Sequence, residues 1–213
     1  MSTTKIPDIV IARLPIYLRA LAYIANDGTQ VTSSHEMGEH LGISPAQIRK
    51  DLSYFGRFGK QGRGYNIDNL LTRLQSILGL DREWRMALVG VGRLGRAILS
   101  YGGFRPQGFL FVKAYDADPV IIGRREGDLV VENVADLEAS LRETPLDIGI
   151  VAVPGHMAQN VIDVLVQSNV RAILNYAPIA ARVPSNVYVR QIDPVLALQS
   201  MTYFLTHSAS ERA

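Results

Sequence analysis

The chain has 213 residues, 47% of them hydrophobic and 20% charged, with a formal net charge of +2. That length suits one large domain or two modest ones, and that composition suits a globular protein with a real core. There is no cysteine, which excludes disulfides, thiolate nucleophiles and cysteine metal sites. No apolar run approaches the roughly 20 residues of a membrane span, and the N-terminus has no signal-peptide pattern, so a cytoplasmic location is expected. The net charge is too small to imply nucleic acid; where the charges lie matters more.

Residues 7–26 predict a helix with a break at Leu14-Pro15, Pro15 restarting it and Asp27-Gly28 ending it. Ile16, Leu18, Leu21, Ala22, Ile24 and Ala25 are expected to form its apolar side. Val31-Thr32 reads as a short extended piece. Two helix starts follow, each with a capping box: Ser33 with Glu36, then Ser44 with Gln47 behind Pro45. Helix, glycine turn and helix make a helix-turn-helix. On the second helix Ile48, Leu52 and Phe55 share an inward face. Ala46, Lys50, Ser53 and Tyr54 occupy the opposite face, flanked by Gln47 and Arg49. These side chains can meet bases and phosphates from a major groove.

Residues 57–67 predict two short extended pieces around a Gly/Lys/Arg tip, the hairpin of a winged helix. Five basic residues (Arg49, Lys50, Arg57, Lys60 and Arg63) stand against one acid, Asp51, in this region. A basic tip suits the minor groove of A·T-rich DNA. A winged helix used for protein contacts is the plainer alternative. Residues 69–80 predict a connecting amphipathic helix, with a linker at 79–85.

The strongest signal is Met86 to Asp116. An apolar strand, Met86 to Val89, runs into Gly90-Val91-Gly92-Arg93-Leu94-Gly95, then a helix to Ser100. A second strand, Leu110 to Tyr115, ends at Asp116, about 20 positions beyond Gly95. This is the dinucleotide-binding fingerprint. Gly90 permits the turn, Gly92 admits a pyrophosphate, and Gly95 lets helix approach strand. The N–H groups of the helix start, at Arg93 and Leu94, face the phosphates. Asp116 accepts from both ribose hydroxyls and selects a free 2′-OH, so NADH or NAD⁺ is the expected ligand. A ligand-free flavodoxin-like turn and a coenzyme A site are alternatives.

Strand and helix then alternate: a strand at 129–131, a helix at 134–143, an apolar strand at 147–153, a helix at 157–168 and strands at 172–175 and 187–192. The expected fold is α/β: an N-terminal winged helix-turn-helix domain (1–80), then a Rossmann domain with a doubly wound parallel sheet (85–192) and a C-terminal helix (193–208). Pro154 closes a strand at its ligand-bearing end. Asn175, Tyr176, Ala177 and Pro178 lie at the same sheet edge, as nicotinamide contacts or as an ordinary turn. The segment 194–205 is apolar nearly all round, which calls for burial against a second subunit. A homodimer is expected, and two helix-turn-helix units suit an inverted repeat.

His156 is the one plausible catalytic candidate among four histidines, and a phosphate-side or solvent position suits it better. With no substrate domain present, no catalytic residue and no metal site are assigned. An NAD-dependent oxidoreductase with a regulatory winged helix is the runner-up.

Taken together, these residues resemble the family of redox-sensing transcriptional repressors called Rex. The likeness runs through Leu14 to Arg19, Ser44 to Gly56, the glycine motif, Tyr115 to Pro119, Asn175 to Pro178 and the final helix. It implies a homodimer on an operator, released by NADH with NAD⁺ competing, and a C-terminal helix exchanged between subunits. It further implies a switch group at Arg19, Tyr101 and Asp193. From the change in nicotinamide charge, NADH is expected to close the two Rossmann domains and re-pair Arg19 and Tyr101 around Asp193. Nicotinamide contacts would fall near Pro154, Asn175 to Pro178 and Pro194. Two positions depart from the family pattern: Tyr176 replaces a common phenylalanine, and Pro194 a larger apolar residue.

Overall fold

The computed structural model describes residues 6–59 and 64–207. The chain forms two compact units, Met1–Arg82 and Glu83–Ala213.

In the first unit, helix α1 (Asp8–Asn26) runs unbroken through Pro15. Pro15 lies on the exposed side, where water can serve the carbonyl that lost its N–H partner, while a buried stripe holds the helix from the other side. That stripe is Val10, Leu14, Tyr17, Leu21 and Ile24. The expected apolar side was therefore rotated: Ile16 and Ala22 are exposed. Strand β1 (Val31–Thr32) leads to α2 (Ser34–Leu41) and α3 (Pro45–Ser53). Both capping serines act as expected: Ser33 Oγ accepts from Glu36 N–H (3.1 Å) and Ser44 Oγ from Gln47 N–H (3.2 Å). The return halves of the boxes go elsewhere. Glu36 accepts from the Thr32 hydroxyl (2.7 Å), and the Gln47 amide turns to Asp51 (2.6 Å).

Strand β2 (Tyr65–Asn66) pairs antiparallel with β1, not with a strand at 57–59. Among the described residues the expected hairpin partner does not form. A Cβ on Gly59 would lie 2.6 Å from the Gly64 carbonyl oxygen, so the two flanks of 60–63 still come together. Helix α4 (Ile67–Ile77) starts two residues before the expected position because Asn66 caps it, accepting from Asn69 N–H (2.9 Å). Leu14, Tyr17, Met37, Ile48, Leu52, Leu70 and Leu74 make one core from all four helices.

The second unit is a seven-stranded sheet: β3 (Trp84–Val89), β4 (Phe109–Asp116), β5 (Arg125–Glu126), β6 (Leu129–Asn133), β7 (Ile148–Val151), β8 (Ala172–Asn175) and β9 (Tyr188–Gln191). Its order is β5-β6-β4-β3-β7-β8-β9, parallel except for the β5–β6 pair. Without the β5 edge, this is the Rossmann order, which reverses between β3 and β7. The edge strand β5 was not expected from the sequence, and the 134–143 helix divides into a 3₁₀ turn and α6 (Leu137–Glu143). One face carries α6 and α7 (Gly155–Gln167) over Val89, Val151 and Ile173. The other carries α5 (Arg93–Ser100) over Leu88, Ala114 and Val131.

The β8–β9 crossover contains no helix, so Ile148, Ile150, Leu174 and Tyr188 line an open apolar hollow of about 260 Å³. Helix α8 (Pro194–His207) follows, and it buries no residue. Val195, Leu196, Leu198, Met201, Tyr203, Phe204 and Leu205 are all more than half exposed, Leu205 by 75%.

Candidate functional site

A cleft of about 570 Å³ opens where the strand order reverses, between the ends of β3 and β7. The chain turns from β3 at Gly90, whose φ of +98° is costly for any residue with a side chain. A Cβ there would also lie 2.5 Å from the Ala152 carbonyl oxygen. At Gly95 a Cβ would fall 2.0 Å from the Gly90 carbonyl oxygen, so only glycine lets α5 sit this close to the strand end. Gly92 differs: nothing lies within 4 Å of a Cβ placed there, and its backbone faces open space that a ligand can enter. The first N–H groups of α5, at Arg93, Leu94 and Gly95, precede any intrahelical partner. Arg93 and Leu94 are exposed on that first turn.

Asp116 ends β4 at the cleft. One carboxylate oxygen accepts from Val91 N–H (2.6 Å) and the other from Asp118 N–H (2.8 Å). These bonds lock the carboxylate's direction, and each oxygen keeps a lone pair for an incoming hydroxyl. Thus Gly90, Gly92, Asp116 and Pro154 share one cleft. The sequence reading missed its apolar walls, Ile121, Leu137, Met157 and Val161 among them. All but Val161, which lies a turn further along α7 than Met157, follow within a few residues of a strand end, and that was the available signal. His156 also lines the cleft, exposed on the first turn of α7.

Asn175, Tyr176, Ala177 and Pro178 do not line it. The buried Asn175 amide is committed to the turn: it accepts from Ala177 N–H (3.0 Å) and donates to the Ala177 carbonyl (3.1 Å) and to Gln191 Oε1 (2.7 Å). Tyr176 packs half-buried against the opposite sheet face, Ala177 is buried, and Pro178 sits beside Gly155.

On α3, Ile48 and Leu52 point inward and Phe55, just beyond the helix, packs against the same core. Ala46, Arg49, Lys50 and Ser53 are exposed, and Gln47 and Tyr54 are half-buried. Arg49 donates to the Ser34 hydroxyl on α2 (2.9 Å), and Ser53 to the Lys50 carbonyl (2.7 Å). Arg57 is exposed, its carbonyl accepting from Arg73 (3.2 Å). Lys60 and Arg63 lie outside the described residues.

One cluster escaped the sequence reading entirely. Asp51, counted as the lone acid of a basic stretch, is fully buried on α3. It accepts from Arg13 Nε and Nη2 (the latter 2.8 Å), from the Tyr17 hydroxyl (2.6 Å) and from the Gln47 amide (2.6 Å). Burial pushes its pKa up, but the bonds from Arg13, Tyr17 and Gln47 outweigh this and hold it below the ordinary carboxylate value. Burial and the bond to Asp51 push the Tyr17 hydroxyl pKa up, and the Arg13 guanidinium is raised by the same partner.

Of the switch residues, Arg19 is exposed on α1. Tyr101 is exposed at the end of α5, edge-on to Phe104 with ring centroids 5.2 Å apart. Asp193 accepts from Val195 N–H (2.9 Å) at the start of α8.

Family models match both units: "Putative DNA-binding protein N-terminus" over residues 5–53 and "CoA binding domain" over 81–179. A DNA-binding unit joined to a Rossmann unit with a nucleotide-sized cleft defines a ligand-responsive regulator of transcription. The redox-sensing transcriptional repressor Rex of Chloroflexus aggregans is 51% identical over 93% of this chain and 94% of its own. That of Syntrophobacter fumaroxidans is 40% identical over 97% and 99%. A crystal structure of RSP with β-NAD⁺ and operator DNA superposes with a TM-score of 0.92 at 35% identity, covering 98% of this chain and 96% of that one. The RSP complex with β-NADH gives 0.88 at 32% identity, with 98% of each covered. The chain belongs to the Rex family of redox-sensing transcriptional repressors.

Proposed function

We propose that this chain represses transcription as a homodimer on an A·T-rich inverted-repeat operator in the cytoplasm, and that NADH in the Rossmann cleft releases it while NAD⁺ competes. The observation that carries the ligand is the cleft itself, at the reversal of strand order. Gly92 leaves its backbone open and Asp116 is oriented with acceptor capacity to spare. A carboxylate there favours two free ribose hydroxyls and repels a 2′-phosphate, which supports NADH over NADPH and over phosphorylated nucleotides such as coenzyme A. When bound, the nicotinamide ring supplies the redox signal, being cationic when oxidised and neutral when reduced. The phosphates would rest on the start of α5, at Arg93, Leu94 and Gly95, with Pro154 across the cleft. Asn175 to Pro178 would support that edge from behind, as a turn held by the Asn175 amide.

The dimer reading rests on α8, exposed on every side, and on the open apolar hollow of the sheet. Patches of this kind mark interaction surfaces. For DNA, a winged-helix arrangement would place α3 in the major groove, with Ala46, Gln47, Arg49, Lys50, Ser53 and Tyr54 toward bases and phosphates. Arg57, Lys60 and Arg63 would then follow the backbone and the minor groove. Arg19, Tyr101 and Asp193 would couple the two sites. No described helix is long and apolar enough to cross a membrane. The relatives are named repressors, and the chain acts as a regulator, not as an enzyme.

The deciding experiment is a gel shift on an inverted-repeat operator titrated with NADH, then NAD⁺. Release by NADH and recovery with excess NAD⁺ are expected. Binding indifferent to both nucleotides would overturn the sensing role. Asp193→Asn should bind the operator normally but resist NADH release; ordinary release by this variant would remove Asp193 from the switch.

A further inference from the structure

An ionised carboxylate offers about four acceptor positions, and at Asp51 four donors fill them. Arg13 Nε and the Tyr17 hydroxyl take Oδ2, while Arg13 Nη2 and the Gln47 amide take Oδ1. Three of these donors come from two residues of α1, Arg13 and Tyr17, one turn apart, and tie α3 to it by its polar side as Ile48 and Leu52 do by the apolar one.

The fourth donor has a further consequence. Asp51 is an acceptor only, so the Gln47 amide must turn its nitrogen inward, spending one N–H on the carboxylate. Spending the N–H that lies trans to the carbonyl leaves the oxygen and the second N–H side by side. That pair matches the N6 donor and N7 acceptor of adenine in the major groove. Beside a neutral partner the amide could sit either way round and would present the wrong edge part of the time.

We propose that Asp51 is a positioning residue for operator recognition. Through Arg13 and Tyr17 it sets α3 on α1, and through Gln47 it sets the polarity of the amide that reads adenine. This rests on the reading of α3 as the helix that meets DNA.

The test compares Asp51→Asn, Tyr17→Phe and Lys50→Ala with the wild type in the full-length chain. Affinity is measured for the operator and for a random duplex of equal length, beside NADH binding and thermal unfolding. Asp51→Asn should lose roughly tenfold or more on the operator, the scale of one misplaced bidentate contact. Its affinity for the random duplex should change far less, and NADH binding should be unaltered. Tyr17→Phe keeps the ring and the Arg13 bonds, and should lower the same specificity ratio by a smaller factor. Gln47→Ala should cost less in the Asp51→Asn background than in the wild type, because the amide there is already misdirected.

Equal losses on both duplexes, as a reduced folded fraction would give, overturn the proposal, and so does additivity of Gln47→Ala with Asp51→Asn. If Lys50→Ala binds both duplexes like the wild type, α3 is not the DNA helix and the proposal falls with that reading. If Lys50→Ala weakens binding while the ratio survives in the other two variants, only the positioning role fails.

Discussion

Around the nucleotide cleft, position is held by backbone: Gly90 and Gly95 bring two strand ends and a helix start within carbonyl distance of one another. Around α3 it is held by side chains, a buried carboxylate gripped by an arginine, a tyrosine and an amide from two helices. The difference matters for what each can tolerate. A backbone contact leaves no room for a methyl group, so it is rigid and independent of pH. A side-chain clamp survives partial loss, and its strength depends on an ionised group. A cleft for a small ligand needs fixed geometry, whereas a helix proposed to meet DNA needs a defined but adjustable pose.

The contrast is open to breakage at several points, beginning with the largest effect. Gly95→Ala puts a methyl group against the Gly90 carbonyl, so NADH binding, followed by fluorescence, should be abolished or the second unit should unfold. The first unit should keep its helical signal; retained nucleotide affinity would show that the close approach is dispensable. Phe204→Asp, on the uncovered α8, should convert a dimer to a monomer in light scattering and weaken operator binding by about 100-fold or more, since each half-site then binds alone. An unchanged mass would place the interface elsewhere.

A middle-sized effect is expected at Asp116. Asp116→Ala removes charged hydrogen bonds to the ribose, and NADH affinity should fall by roughly 10- to 100-fold in calorimetry, with NADPH affected far less. Equal losses for the two nucleotides would remove Asp116 from the ribose site.

The clamp predicts a pH signature of its own. The Asp51 pKa is lower folded than unfolded, so its contribution to stability is complete above the unfolded value, about 3.9, and disappears as pH falls through the lower folded one. Arg13→Ala leaves that buried charge short of its main partner and should cost about 3–5 kcal/mol at pH 7 in denaturant unfolding. The deficit should shrink below pH 4, and a deficit constant from pH 7 to pH 3 would exclude the ion pair as its cause. The smallest effect is expected from the basic pair outside the described residues: Lys60→Ala with Arg63→Ala should flatten the salt dependence of DNA binding by about two units of slope if each meets a phosphate.

Much of this molecule was legible in the sequence because the constraints involved are local. Ser33 and Ser44 cap their helices by accepting from N–H groups three residues on, the glycine turn and Asp116 belong to one strand-helix-strand unit, and an apolar helix shows itself by composition. The C-terminal helix could be read as apolar nearly all round, and it buries no residue. What only the tertiary structure decided involves residues whose meaning depends on a distant neighbour. Asp51 looked like one acid among bases until Arg13, 38 positions away, was seen to grip it. Asn175 could be read as a ligand contact or as part of an ordinary turn, and only the fold showed Gln191 and Ala177 holding its amide. Strand β2 takes β1, more than 30 positions back, as its partner across the helix-turn-helix. A buried polar group must be satisfied, but which group satisfies it is set by topology, and topology is not written within any one window of the chain.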